Sequence, residues 1–332
     1  MFSDKTAALN LLRTKFSGIA AKAFVVARNE DGLSTLNALS TPPDYELGDT
    51  TFRAVVFGRA ADLSEREEGE AIEGTNMDPK EITGKVRQFS KYVRVTQEMM
   101  ESGKIKAHIQ NYVAGLGQRA VNHPIKTMFK YLTNGAATTY DTELGKTIDI
   151  TCVTDDAMFT TVTHPWGDMS VINKIGYTIA ATLDKDEVTG AIDDAIIQAM
   201  GFRDSAGQPF NFGLTVNELR IIADHKHQQI FNELRTADQI GKVPSRGDAI
   251  YAPSGYHSYC DVRAYDSTNS KHRMYVGLTT ETLRPFFFKL VPGYPKSDME
   301  YNFITQSHRF AVLTKYMFAW ANPAGMVYLL EA

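Results

Sequence analysis

The chain has 332 residues, a hydrophobic fraction of 43%, a charged fraction of 22% and a net charge of −4. That balance fits one large or two ordinary folded domains and argues against long disorder or a fibrous repeat. The negative sign argues against a protein that grips nucleic acid through many phosphates, yet is compatible with one that merely encloses it.

No run of about eighteen apolar residues occurs. The greasiest stretch, from Tyr316 to Trp320, is short and followed by Asn322 and Pro323, so no membrane span is expected. Residues 1 to 12 carry Asp4 and Lys5 and lack the apolar core of a signal peptide, which predicts a cytosolic product. Cys152 and Cys260 stand alone without CxxC spacing, which fits a reducing compartment and offers neither a disulfide staple nor a zinc site.

In chain order, residues 3 to 16 have helical spacing, with Ser3 as N-cap and Ala8, Leu11 and Leu12 on one side, and read as a terminal arm. From 24 to 45 the breakers Asp31-Gly32 and Pro42-Pro43 predict irregular chain running over a surface. Residues 51 to 60 (TFRAVVFGRA) and 84 to 95 (GKVRQFSKYVRV) alternate apolar and polar side chains and predict two strands pairing as a long hairpin. The joining segment holds Asp62, Glu65, Glu67, Glu68, Glu70 and Glu73, while the strands carry Arg53, Arg59, Lys85, Arg87, Lys91 and Arg94. The ribbon is thus acidic at its tip and basic along its length. The plain reading is a solvated face, where exposed pairs contribute ~0–1 kcal/mol each. The sharper one is an inter-subunit clasp, in which opposite charges steer register on an identical neighbour and apolar contact supplies affinity.

From 104 to 133 the apolar positions recur at three and four, predicting a helix about 45 Å long if continuous. Gly115, Gly117 and Pro124 are expected to bend or interrupt it, and Asn134-Gly135 to end it. A second helix is predicted over 186 to 200, with Val188, Ile192, Ala195, Ile196, Ala199 and Met200 in one stripe. A turn at 204 to 209, a strand at 211 to 216 and a helix from Asn217 to Leu234 follow, the last with Leu219, Ile222, Ala223, Ile230 and Phe231 inward. The remainder reads as strands at 248 to 252, 284 to 291, 307 to 320 and 325 to 330. The last two are joined by a turn at 322 to 325 and close the chain as an antiparallel pair. The class is α+β, without internal repeat or low-complexity linker.

Catalytic patterns are weak. Gly115-Leu116-Gly117-Gln118-Arg119-Ala120 matches a dinucleotide fingerprint in letters, but that motif needs a strand before it and a helix opening at it. Helical spacing runs on both sides here, so the glycines read as sites of close packing or bending. Asp224, His225 and His227 share one predicted helix, but histidines two apart point to different faces, whereas helical metal ligands want three or four. His164 and the pair Asp155-Asp156 could wall a pocket, yet no GxSxG, HExxH or P-loop accompanies them. The 15 Tyr and 18 Phe are spread without basic interleaving, which points to core and interface packing rather than an RNA platform.

The passages SKYVRVTQEMMESG into KIKAHIQNYVAGLGQRAVNHPIKTMFKYLTNG, AMFTTVTHPWGD, DEVTGAIDDAIIQAMGFRDSAGQPFNFGLTVNELRIIADHKHQQIF and LRPFFFKLVPGYPKSDMEYNFITQSHRFAVLTKYMFAWANPAG follow one another in an order that covers most of the chain. In that order it resembles the tailed-bacteriophage major capsid proteins, particularly the branch similar to the Mu-like major head subunit. The resemblance implies the HK-97-like (Johnson) fold: an N-terminal arm (1–48), an extended β-hairpin loop (49–95), a peripheral domain (96–172 and 306–332) with a spine helix (96–134), and an axial domain (173–305). It implies a head protein without catalysis or cofactor, which self-assembles through hexamers and pentamers into an icosahedral shell enclosing the phage dsDNA. Portal, scaffolding and decoration proteins are the implied partners, and the virion, assembled in host cytoplasm, the implied location. Contact residues expected on this template are Glu65, Glu67, Glu68 and Glu70 at the tip, meeting Arg53, Arg59, Arg87 or Arg94 of a neighbour. Some relatives carry a long N-terminal scaffolding segment. Here the recognisable fold begins within the first few dozen residues, so a mature form or a separate scaffolding protein is expected. The rival readings are a cytosolic enzyme, or a tail or decoration subunit.

Overall fold

A computed structural model describes residues 16–24, 31–43, 51–56, 80–96, 105–142, 145–152, 154–161, 164, 171–177, 185–203, 219–223, 256–258, 265–266, 271–279, 283–302 and 307–331. The expected arm helix before residue 16, the turn and strand within 204 to 216, and the strand at 248 to 252 lie outside these residues.

The strand β14 (Ser307–Trp320) organises the first sheet. Along its first half His308, Phe310, Val312, Thr314 and Tyr316 are buried, while Arg309, Ala311, Leu313 and Lys315 are half-exposed, the period-two pattern of a sheet packed on one side. From Tyr316 to Trp320 every residue is buried. β4 (Arg87–Thr96) runs antiparallel along one edge, from Thr96 opposite Ser307 to Arg87 opposite Tyr316. β12 (Phe286–Leu290) and β13 (Lys296–Asn302) share the other edge end to end. Between them Val291 to Pro295 face only Thr314 and Lys315, an outward bulge turned by Gly293 at φ 81° and tied back by the Val291 N–H donating to the Lys315 carbonyl at 3.0 Å.

The second sheet is built on β15 (Met326–Glu331). It runs β7 (Lys174–Tyr177), β15, β11 (Lys271–Leu278), β8 (Leu219–Ala223), β9 (Tyr256–Ser258), and β10 (Tyr265–Asp266) also pairs with β11, while β5 (Thr139–Asp141) and β6 (Thr147–Asp149) form a small antiparallel pair of their own. β14 and β15 were expected to pair with each other, and they do not. Each is buried on both faces near the crossing, and a lone hairpin cannot cover both faces of both strands, so each enters its own sheet. The link is a 3₁₀ turn, Pro323–Gly325, capped by the Asn322 side-chain oxygen, which accepts from the Ala324 N–H at 2.8 Å. Asn173 ties it down, its amide donating to the carbonyls of Pro323 at 3.0 Å and Met158 at 2.7 Å.

Residues 16–24 form α1, and α3 (Ile105–Asn134) runs without interruption as an α-helix through Gly115, Gly117 and Pro124. A Cβ on Gly117 would stand 2.9 Å from the Ala23 Cβ, so this glycine admits α1, whereas Gly115 faces open space. Val113, Leu116 and Ala120 pack with Phe16, Ala20, Phe310 and Val312; Ile125, Met128, Phe129 and Leu132 join Tyr316, Phe318, Trp320, Tyr275 and Tyr328 in a larger aromatic cluster. The helix's last carbonyls are satisfied from the second sheet, by Arg273 donating to Thr133 at 3.3 Å and the Tyr275 hydroxyl to Leu132 at 3.2 Å.

Three further expectations are corrected. The stretch from 24 to 45 is not irregular throughout: within its described residues lie α2 (Asp31–Ala38) and β1 (Ser40–Thr41), with Leu36 and Leu39 fully buried and β1 parallel to β12. Asp31-Gly32 opens a helix there instead of breaking the chain. Residues 219 to 223 are strand, not helix, because adjacent Ile221 and Ile222 suit a strand covered on both faces between β11 and β9. In α4 (Lys185–Gly201) Val188, Ile192, Ala195 and Ala199 are buried as expected, but Met200 is 46% exposed.

Candidate functional site

The hairpin expected from the sequence begins at β2 (Thr51–Val56), paired antiparallel with β3 (Lys80–Lys85) from Thr51 opposite Lys85 to Val56 opposite Lys80. The expected strand from Gly84 to Val95 therefore divides at Val86. Only its first two residues belong to the ribbon, and the rest is β4 of the first sheet, because the alternating run from Arg87 finds its partner in β14. Phe52 lies opposite Gly84, and its ring fills the space a Cβ there would need. Phe52 and Ala54 are buried in the core beside Val188 and Ile192 of α4, so one face of the ribbon base is anchored. The other face is solvated and carries the Arg53–Glu81 ion pair at 3.2 Å, a diagonal cross-strand contact. Such an exposed pair stabilises by at most about 1 kcal/mol.

The expected contact residues separate. Glu65, Glu67, Glu68, Glu70 and Arg59 lie outside the described residues. Arg53 is on the ribbon. Arg87 and Arg94 are on β4, not on the ribbon, and each is engaged within its own subunit. The half-buried Arg87 guanidinium donates to the Tyr131 hydroxyl at 3.4 Å, and Tyr131 donates in turn to the Phe318 carbonyl at 3.3 Å. Burial pushes the Tyr131 phenol up to about 12 against the pull of Arg87. The exposed Arg94 donates from Nε to the Ser307 hydroxyl at 3.0 Å and sits opposite Arg309. Arg309 stands opposite Glu300 on its other side and lies over the Tyr92 ring at 5.5 Å, and Tyr92 itself is 56% exposed. The outer face of the first sheet is thus a row of charges with one exposed aromatic ring.

His164 and Cys152, which the sequence did not bring together, meet in the structure. The Cys152 thiol lies 4.0 Å from His164 Nδ1, with Thr154 Oγ1 3.2 Å from the same nitrogen. His164 Nε2 faces the Met158 carbonyl at 3.1 Å and must donate to it, which leaves Nδ1 as an acceptor. Burial pushes the thiol up and the imidazole down, so both are held neutral, the opposite of a thiolate–imidazolium nucleophile. Asp155 and Asp156 are exposed on a neighbouring turn, with Asp155 at φ 60°. Asp224, His225, His227 and Cys260 lie outside the described residues. The fingerprint glycines sit inside α3 with no strand before them, so the helix start that would cradle a pyrophosphate is absent there. Among the described residues no group of three His, Cys, Asp or Glu side chains could hold a metal, and no helix is long and apolar enough to cross a membrane.

One feature was legible from charge counts and was missed. α3 holds Lys106, Arg119, Lys126 and Lys130 and not one Asp or Glu.

No protein-family profile matches the sequence, and no curated protein matches it. Solved structures do match the fold. The capsid structure of the cyanophage P-SCSP1u superposes with a TM-score of 0.55 at 11% identity, covering 90% of this chain and 88% of that one. The virus-like particle from Pyrococcus furiosus gives 0.53 at 11% identity, covering 96% and 99%. The capsid structure of Staphylococcus phage Andhra gives 0.53 at 9% identity, covering 89% and 83%. The likeness extends over about nine-tenths of the chain in each case. The chain has the HK-97-like fold of phage capsid subunits.

Proposed function

We propose that this chain is a major capsid subunit, whose copies assemble through hexamers and pentamers into an icosahedral shell around phage dsDNA. The observation that carries the reading is the extent of the likeness: about nine-tenths of the chain is covered by the match to capsid chains. Heterologous contacts between identical subunits that close into rings need projecting elements, and the ribbon from β2 and β3 supplies one. Its base is anchored in the core, and the acidic residues between β2 and β3 carry the charge that would steer register on a neighbour. Arg53 remains the basic contact residue of choice near that ribbon. Arg94 is a second, its exposed guanidinium needing only to exchange Ser307 for a carboxylate. Arg87 fits an internal role better.

The same reading divides the chain into an arm (1–48), an extended loop (49–95), a peripheral domain (96–172 and 306–332) and an axial domain (173–305). Portal, scaffolding and decoration proteins would be its further partners, and the virion its place. It assigns no catalysis. The direct test is electron microscopy with sedimentation of the purified chain, alone and with phage co-factors. Rings of five and six or closed shells are expected. A monomer or dimer under every condition would favour an enzyme, and tubes or three-fold assemblies a tail component.

A further inference from the structure

The long helix differs from the rest of the chain in charge. In a protein of net charge −4, the residues Ile105–Asn134 carry four cations and no carboxylate. At about 100° per residue, Tyr112, Arg119, Lys126 and Lys130 fall within roughly 40° of one another. They form one line on the side opposite the buried Gly117, Val121 and Met128. Along that line Tyr112 is 50% exposed, Arg119 is exposed, and Lys126 and Lys130 are half-exposed; exposed Asn111 and Gln118 flank it. The three cations recur at steps of seven and four residues, about 10 and 6 Å along the axis, close enough to meet successive phosphates of a B-DNA strand, which carries one charge per roughly 3.4 Å of duplex axis.

We propose that this face of α3 is a non-specific binding surface for the phosphate backbone of duplex DNA. The inference rests on the shell reading and adds to it that α3 turns this face toward the enclosed genome. The alternative occupant is the acidic segment around Glu65 to Glu73 of a second copy. A protein interface needs an apolar centre of several side chains, and among the described side chains Tyr112 is the one exposed large apolar residue on this line, so the face suits a polyanion better. Contacts made to phosphates position a duplex without reading its sequence, and Lys126 and Lys130 act there as point charges. Three phosphate contacts per subunit hold DNA weakly, which suits a genome that must later leave, while repetition around the shell multiplies the effect.

The test uses the full chain as unassembled subunits, with a random-sequence DNA duplex titrated by fluorescence anisotropy at several salt concentrations. Three contacts predict a slope of log K against log salt of about −3. Arg119→Gln and Lys126→Gln should each reduce that slope by about 1 and weaken binding several-fold at low salt, while Lys126→Arg retains both. Lys296→Gln, on the exposed face of β13, should change neither. An unchanged slope in the helix variants, an equal loss in Lys296→Gln, or binding of a peptide spanning residues 62 to 73 in place of DNA would each overturn the proposal. Electron microscopy of the same preparations separates the two levels. Shells from Arg119→Gln whose subunits keep full DNA affinity defeat this inference alone, whereas an unaltered chain that never forms shells defeats the reading beneath it.

Discussion

Gly325 lies so close to the main-chain carbonyl of Leu283 that a Cβ on Gly325 would overlap that oxygen, with the Pro285 nitrogen 2.9 Å away. This contact holds the passage from the first sheet to the second against the loop that enters β12. Backbone cannot step aside as a side chain can, so Gly325→Ala should destabilise the subunit by about 3 kcal/mol. Gly115→Ala, which meets open space within a helix, should instead stabilise by up to about 1 kcal/mol. Urea midpoints of the unassembled subunits measure both, and equal midpoints for the two variants would contradict the account.

Arg87 and Arg53 look interchangeable in the sequence, each a basic residue in a β-rich run. Their surroundings differ. Arg87 supplies a charged hydrogen bond to a buried phenol, and its loss should cost about 1.5–3 kcal/mol. Arg53 pairs with Glu81 at the surface, with side chains 76% and 46% exposed, and Arg53→Ala should cost at most about 1 kcal/mol. Thermal unfolding of subunits tests this. If Arg53→Ala proved the more damaging of the two, the division between internal and contact residues would be wrong.

What the sequence revealed, and what it hid, follows from the range of each interaction. α3 was readable because its apolar spacing repeats over eight turns, and β14 because its alternation is unbroken from His308 to Tyr316. β8 was not, since Leu219, Ile221, Ile222 and Ala223 satisfy a helical and a strand period alike, and only the flanking β9 and β11 decide. Pairing partners were hidden for the same reason. Nothing local tells β4 to leave the ribbon for a strand more than two hundred residues later, or tells Arg87 to seek Tyr131. The neutral Cys152–His164 contact joins residues twelve apart through a turn whose course depends on Asn173. α2 was obscured by an overvalued breaker, for Asp31-Gly32 stands where a helix begins and only Leu36 and Leu39, facing α3, reveal it.

Buried phenols set an alkaline limit to stability. Burial raises Tyr131 to about 12 and also raises Tyr140, Tyr275 and Tyr316. A phenol whose folded value lies above its unfolded value near 10 favours the folded state fully below about pH 10, and loses that contribution as pH rises toward the folded value. Stability should therefore begin to fall near pH 10, by about 1.4 kcal/mol per pH unit for each tyrosine. On the acid side, burial lowers His164 and His308, so their contribution is complete above about pH 6.5 and is lost as pH falls below it. Urea midpoints across this range, read with tyrosinate absorbance, provide the check. A midpoint unchanged between about pH 9 and 11 would show that these phenols are not enclosed.

The ribbon supplies the sharpest test of assembly. Its base is anchored through Phe52 and Ala54, so changes at the tip should leave the fold of the subunit alone. Replacing Glu65, Glu67, Glu68 and Glu70 together by Lys reverses the tip's charge without touching the described core. The contribution of each exposed pair is small, about 0–1 kcal/mol, but a closed shell repeats the contact in every subunit, so the variant should remain soluble and folded while shells fail or form with wrong curvature. Raised salt should weaken assembly of the unaltered chain in the same direction, because the charges act across solvent within a screening length of about 8–10 Å. Circular dichroism establishes the fold and electron microscopy counts the particles. Normal shells from the four-fold variant would show that the acidic tip is a solvated surface, and the clasp would have to be sought along the row of Arg94, Arg309 and Glu300 instead.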